Sequence, residues 1–333
     1  MQSRKAALDE LARELQALEG VTLVRDAPLA RYTRFALGGP AGLLVDAPDP
    51  ASFSRALSLA KSSGLPVAAI GGGTNLVAAD EGFPGVILRY TASRIVRDGR
   101  RILAEAGAPL DELVEFAIAH GLGGLETLAR IPGWVGGAIY GNAGAYGHSI
   151  SERVSSVTAT SGADRMEIPA AACEFAYRQS VFKHRKDWVI LSVCLELEPA
   201  DREVLRKTAD EIRGARDKKF PADMKCAGSI FKNLLVSRLP AGLASSIPPS
   251  VIREGKVPAG WFLEQVGARG MQRGGIRVAD YHANLIYNAG AGTARDLCQL
   301  ISELKKRVQD RFGLELEEEI QYLPPSPPEP SSA

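Results

Sequence analysis

The sequence has only four cysteines, Cys173, Cys194, Cys226 and Cys298, and no two of them form a C-x-x-C pair. With no histidines beside them, that spacing excludes the usual zinc and iron–sulfur frameworks and supports no disulfide framework. No metal is expected, and the thiols suit a reducing cytoplasm. Charge of one sign is missing too: 40 basic against 39 acidic residues leave a net charge of +1. General attraction to nucleic acid or anionic lipid is therefore excluded, and any phosphate site must be local. The first twenty residues are charged throughout and lack the apolar core of a signal peptide. No run is long and apolar enough to span a bilayer, and no repeat appears at solenoid periods. A soluble, monomeric, cytoplasmic protein is expected, without nucleic-acid or membrane partners.

What is present is ordinary globular composition, 45% apolar and 24% charged, in 333 residues. That length predicts two or three domains. Leucines 8, 11, 15 and 18 mark one face of an amphipathic helix closed by Gly20. A strand at 42–47, a helix at 51–63, a strand at 66–70, and further strands at 76–77 and 85–89 make a first α/β unit up to residue 90. A helix at 109–120, a glycine-rich stretch at 121–147 and strands at 154–160 and 188–197 make a second, to about 205. The third, 206–323, has a charged helix that begins near 201. It ends with the helix Thr293–Arg311, where Thr293 and Asp296 have capping-box spacing, and a strand over 314–323. The tail 324–333 has nothing to bury and is expected to be disordered.

Five segments could carry chemistry. In Gly71-Gly72-Gly73-Thr74-Asn75, bare backbone N–H groups could cradle a pyrophosphate, with a plain turn as the alternative. It is not the dinucleotide fingerprint G-x-G-x-x-G, because position 76 is Leu and a strand follows. The glycines of 121–147 are interrupted by Leu, Ile and Val, unlike a flexible linker, and suit close approach to a large flat ligand. In Tyr177-Arg178-x-Ser180-x-Phe182-Lys183 the guanidinium offers a fork for a carboxylate, or a surface salt bridge. Ser229 in Ala227–Asn233 has no G-x-S-x-G elbow, and none of His120, His148, His184 and His282 is identifiable as its base. It reads as a proton donor or a structural turn residue. In the last segment, period two puts Leu314, Leu316, Ile320 and Tyr322 on one face and Glu315, Glu317 and Glu319 on the other. Glu318 breaks the alternation.

In this order, and with RYTRFALGGPAG, AGWFLEQVGARGMQRGGIRVADYHANLIYN and LELEEEI added, these segments resemble the UDP-N-acetylenolpyruvoylglucosamine reductase family. The resemblance runs from about Tyr32 to Leu323. It implies an α+β fold: a two-domain FAD-binding unit of the vanillyl-alcohol-oxidase type (1–90 and 91–205) and a third α/β domain (206–323) for a UDP-sugar. It implies bound FAD, NADPH as co-substrate, and reduction of UDP-N-acetylglucosamine enolpyruvate to UDP-N-acetylmuramate for peptidoglycan. Arg178, Ser229 and Glu319 match the family's catalytic positions. FAD is expected at Gly71, Gly72, Gly73, Thr74, Asn75 and Leu76, and at Ile131, Pro132, Gly133, Gly136, Gly137, Asn142, Gly144, Ala145 and Tyr146. Tyr177, Lys219, Asn233, Arg269 and His282 are expected to meet the substrate.

The implied reaction delivers hydride from NADPH, by way of FAD, to C3 of the enolpyruvyl group. Arg178 pairs with the carboxylate, Glu319 in its acid form hydrogen-bonds the developing enolate, and Ser229 protonates C2. Serine is a very weak acid, but an enolate carbon is basic enough to take its proton. Departures from the family are Arg34 and Ala36, whose roles look exchanged, Trp134 in place of a small residue, Phe220, and Leu234 in place of Pro. The Arg178–Ser229 interval is too short for the extra Tyr-bearing segment that caps substrate in some members. The rival readings are another flavin-dependent oxidase acting on alcohols or sugar lactones, and a non-catalytic flavin or UDP-sugar binder. The first leaves AGSIFKN and HANLIYN unexplained, and the second leaves Arg178, Ser229 and Glu319 without a purpose.

Overall fold

The leucine spacing near the N-terminus produces α1 (Gln2–Gln16), which buries Leu11 and Leu15 completely and stops short of Gly20, a residue at φ +72°. In the computed structural model the described residues are 2–323, with side chains from Arg4 onward, and the expected tail lies outside them. Contacts divide the chain into two units, each continuous in space but not in sequence. The first takes residues 2–27, 41–73 and 84–222; the second takes 28–40, 74–83 and 223–323.

Unit one holds two large sheets and two short two-stranded pairings. The first runs in the order Thr22–Pro28, Pro40–Ala47, Phe83–Tyr90, Val67–Ala69, with the last pair parallel. The helix α2 (Pro50–Ser62) follows the second strand in sequence, its N-terminus capped by the Asp49 carboxylate. The strand Thr22–Pro28 was not expected, because an edge strand that leaves Arg25 and Asp26 exposed carries no apolar alternation. The second sheet is antiparallel, in the order Arg165–Pro169, Val154–Thr160, Val189–Glu196, Arg101–Glu105, Ile95–Asp98. Three of its strands were not expected: the two edges and, inside the sheet, Arg101–Glu105.

Against this sheet's core pack α3 (Leu110–Ala119), through Leu110, Leu113, Val114 and Ala117, and the short α4 (Val135–Tyr140) inside the glycine-rich stretch. The helix α5 (Arg202–Lys219) buries Leu205, Ala209 and Ile212 in the same core. Its Arg206 and Arg213 both pair with Glu115 of α3. Those contacts are why α5 belongs with unit one, whereas the sequence reading drew a boundary at 205.

Unit two has its own core, which includes Phe35, Leu37 and Val77 from the early chain. Its antiparallel sheet runs Cys226–Ser229, His282–Asn288, Ile276–Ala279, Gln272–Arg273. Helices α6 (Ala241–Ser246), α7 (Ala259–Gln265) and α8 (Ala294–Phe312) complete it. The capping box at Thr293 and Asp296 forms as the spacing predicted. The strand expected over 314–323 is corrected to Gln321–Leu323, which pairs in parallel with Leu76–Ala78. Residues 314–320 do alternate, with Leu314, Leu316 and Ile320 buried, but they bond along one side to 230–232 and make only an isolated bridge.

Candidate active site

Arg178 sits at the tip of a tight turn closed by reciprocal hydrogen bonds between Ala176 and Gln179. Its backbone is left-handed, at φ +55°, a conformation that costs a non-glycine residue about 1 kcal/mol and is kept where the surroundings demand it. The guanidinium donates to the Gly144 carbonyl at 2.7 Å and the Asn142 carbonyl at 3.3 Å. Two of its five donors thus fix its plane against the glycine-rich loop. The Tyr177 ring lies 5.3 Å from the Arg178 guanidinium carbon, and Lys183 donates to the Arg178 carbonyl at 2.8 Å. Ser180, fully enclosed, donates to the Tyr140 carbonyl and ties the turn to the end of α4.

That loop is built for close approach of a ligand to the main chain. Asn142 is buried at φ +43°; its amide donates to Ala176 and its carboxamide oxygen accepts from Ser151 N–H. So the Asn142 side chain is spent on holding the loop to the Arg178 turn. Gly133 adopts φ +115°, and its carbonyl accepts from Leu110 N–H. Ile131 closes on Leu128 through its N–H, and Pro132 is exposed. Gly136 lies so near Ala106 that a methyl there would come within 2.9 Å of the alanine methyl, whereas one on Gly137 would meet nothing within 4 Å. Gly144 and Ala145 pair with Ser149 and His148, and Tyr146 follows, half exposed at φ +53°.

Gly71, Gly72 and Gly73 follow the strand Val67–Ala69 in the same unit, and their N–H groups donate to no main-chain carbonyl among the described residues. Free backbone donors and a glycine-lined loop with open space at Gly137 are the chemistry a pyrophosphate and a flat ring system require. The residues of unit one therefore fit FAD.

Unit two sets the segments that carry Ser229 and Glu319 side by side. Glu319 N–H donates to the Ile230 carbonyl at 2.7 Å, and Phe231 bridges Glu318. Ser229 follows Gly228, at φ +75°, and stands opposite Leu285 in the sheet. Asn75 and Leu76, expected at the cofactor, lie in this unit with Thr74. The Asn75 amide donates to the Glu319 carbonyl at 3.0 Å, and the Asn75 carbonyl accepts from Gln321 N–H at 2.9 Å.

Asn284 was not singled out in the sequence, yet it organises this segment. Buried among Ala283, Leu285 and Ile286, its carboxamide accepts from Phe231 N–H and donates to the Phe231 carbonyl, both at 2.9 Å. Its signal was there to read: an asparagine inside an apolar strand must satisfy its amide locally.

The expected substrate residues fall as follows. Asn233 accepts from Ala259 N–H at 3.3 Å. Arg269 pairs with Glu264 at 2.6 Å. His282 Nδ1 accepts from Asn284 N–H at 3.1 Å, which puts the neutral ring's proton on Nε2. Lys219 ends α5 in unit one, its ammonium 5.0 Å from the Phe220 ring centre. Burial, with Arg216 adding repulsion, pushes its pKa down to about 8.

Comparison with known proteins agrees with this layout. Residues 41–164 match the FAD binding domain family, and residues 220–323 match the C-terminal domain of UDP-N-acetylenolpyruvoylglucosamine reductase. A reductase of that name from Solibacter usitatus is 53% identical over 93% of this chain and 99% of its own. One from Carboxydothermus hydrogenoformans is 33% identical over 94% and 98%. The solved UDP-N-acetylenolpyruvylglucosamine reductase of Thermus caldophilus superimposes with a TM-score of 0.71 at 27% identity, covering 91% of this chain and 98% of that one.

Proposed function

Because the chain belongs to the UDP-N-acetylenolpyruvoylglucosamine reductase family, we propose that Arg178, Ser229 and Glu319 carry its reaction. The enzyme is a FAD-dependent oxidoreductase that uses NADPH to reduce UDP-N-acetylglucosamine enolpyruvate to UDP-N-acetylmuramate, in peptidoglycan precursor synthesis. Bound FAD supplies the relay that takes hydride from NADPH and gives it to C3 of the enolpyruvyl group.

The protein's own task is then charge and proton management. Arg178, its plane fixed by the Asn142 and Gly144 carbonyls, pairs with the enolpyruvyl carboxylate. Glu319 donates a hydrogen bond to the enolate oxygen as charge develops there. Ser229 gives its proton to C2, where the carbanion is basic enough to take it. Gly71–Gly73 and residues 131–146 hold FAD, while Lys219, Asn233, Arg269, His282 and Tyr177 hold the UDP-sugar.

The observation that carries this reading is the 2.7 Å hydrogen bond from Glu319 N–H to the Ile230 carbonyl. It joins the segments bearing a hydroxyl and a carboxyl group that are remote in sequence. A Ser229→Ala enzyme should still be bleached by NADPH at the wild-type rate, yet lose turnover of the enolpyruvyl sugar by about a thousandfold or more. Unchanged turnover, or failure of bleaching in folded, FAD-loaded protein, would remove Ser229 from its role. We also propose a monomer acting in the cytoplasm. Four unpaired thiols support the compartment, and light scattering tests the mass.

A further inference from the structure

The Trp134 indole lies across Gly71 and Gly72. A methyl added at Gly72 would come within 3.1 Å of the Trp134 Cδ1 and 3.2 Å of its Nε1; one at Gly71 would meet Cε3 at 3.8 Å. The ring thus spans two consecutive glycines, and a side chain at Gly72 would press on it.

The backbone beneath the ring is pinned on both sides. Trp134 bridges Pro109, Gly133 accepts from Leu110 N–H at 2.9 Å, and Val135 donates to Ala108 at 2.8 Å. A cation also addresses the ring: the Arg89 guanidinium carbon is 5.5 Å from the indole centre. Arg89 is itself forked onto Asp46, with Nε 2.6 Å from Oδ1, and both side chains are mostly buried. The chain of contacts therefore runs Asp46, Arg89, Trp134, then Gly71 and Gly72, all inside unit one.

We propose that Trp134 is a positioning residue for FAD, clamping the Gly71–Gly73 segment to the 131–137 segment before the cofactor arrives. The inference rests on the assignment of both segments to FAD. A three-glycine run is otherwise among the most mobile stretches a chain can contain, and ordering it would be charged against cofactor binding. The indole removes that cost in advance, and Asp46–Arg89 keeps the indole in place.

The test titrates FAD into apoprotein and follows both flavin and tryptophan fluorescence, with unfolding of each apoprotein as the folding control. Trp134→Ser should weaken FAD about tenfold to a hundredfold, the scale of losing one well-packed aromatic contact and the order it imposes. Trp134→Phe should recover most of the affinity. Arg89→Met should fall between them, and should add little in the Trp134→Ser background. FAD affinity equal to or tighter than wild type in Trp134→Ser would overturn the proposal, since the ring would then be neutral or an obstruction. Should Trp134→Ser not fold, wild-type affinity in Arg89→Met together with none in Trp134→Phe would overturn it equally. Gly137→Glu separates the two levels of the argument, because its Cβ meets nothing within 4 Å and its folding is checked by the same unfolding control. If Gly137→Glu binds FAD normally, the cofactor assignment itself fails. If it loses FAD while Trp134→Ser does not, only the clamp fails.

Discussion

Lys219 shows how partial burial tunes a single cation. Its ammonium is disfavoured by burial and by Arg216, which brings its pKa down from the ordinary 10.5 to about 8. The sign of the linkage follows. Between pH 8 and 10.5 the unfolded chain holds this proton and the folded one has begun to release it. Stability from this group therefore rises with pH across that window, and the penalty is fully present below it. Lys219→Met should be more stable than wild type at neutral pH and should lose this part of the rise between pH 8 and 10.5, as read by urea midpoints. If the diphosphate neutralises Lys219, the wild-type KM for the UDP-sugar should climb above pH 8 while the variant's stays flat. A variant KM that follows the wild-type pH profile would clear Lys219 of phosphate contact. Arg178 was legible as a cation beside aromatic residues, and Lys219 only through the family resemblance. The left-handed backbone at Arg178 and the burial at Lys219 were not, because both depend on distant partners.

Element by element, local signals were readable where a single segment supplies both partners. Thr293 and Asp296 announce the start of α8 from four residues of sequence, and both of their reciprocal hydrogen bonds form. A second carboxylate at the same helix end was invisible: Asp80 accepts from Ala294 N–H at 2.8 Å and Arg295 N–H at 2.9 Å. Together the two acids and Thr293 satisfy the first-turn donors that a helix leaves open. Period two in 314–323 likewise reported which side chains are buried and not which strand they pair with. Glu318, the residue that broke the alternation, is held by Lys305 at 3.1 Å and by the Tyr322 hydroxyl, with Glu319 turned the other way along the chain. Asp80→Ala should cost about 1–2 kcal/mol, a melting shift of a few degrees, and should speed amide exchange in the first turn of α8. Exchange spread evenly through the helix would show that Asp80 is not acting as its cap.

For the whole molecule, fold class and cofactor were legible because motifs in a fixed order survive the interruption of a domain by other chain. The partition itself was not, because sequence order hides which early segments return to a late core. Phe35 and Leu37 are fully or almost fully enclosed within the second core, together with Val77, although all three precede residue 90. Leu76–Ala78 supplies the only strand paired with Gln321–Leu323 among the described residues, and the Asn288 amide donates to the Phe35 carbonyl. Residues 220–323, which match a C-terminal family domain, therefore do not contain the whole of the unit they mostly form. Three buried apolar side chains contribute roughly 1.5–3 kcal/mol each, and a domain's entire net stability is commonly about 5–15 kcal/mol. The loss of those side chains, a strand partner and the Asp80 cap should leave an isolated 220–323 fragment without a cooperative unfolding transition. Adding peptides spanning 28–40 and 74–83 should restore part of its ordered circular-dichroism signal. A 220–323 fragment that melts cooperatively by itself would mean the early segments decorate this core and do not complete it.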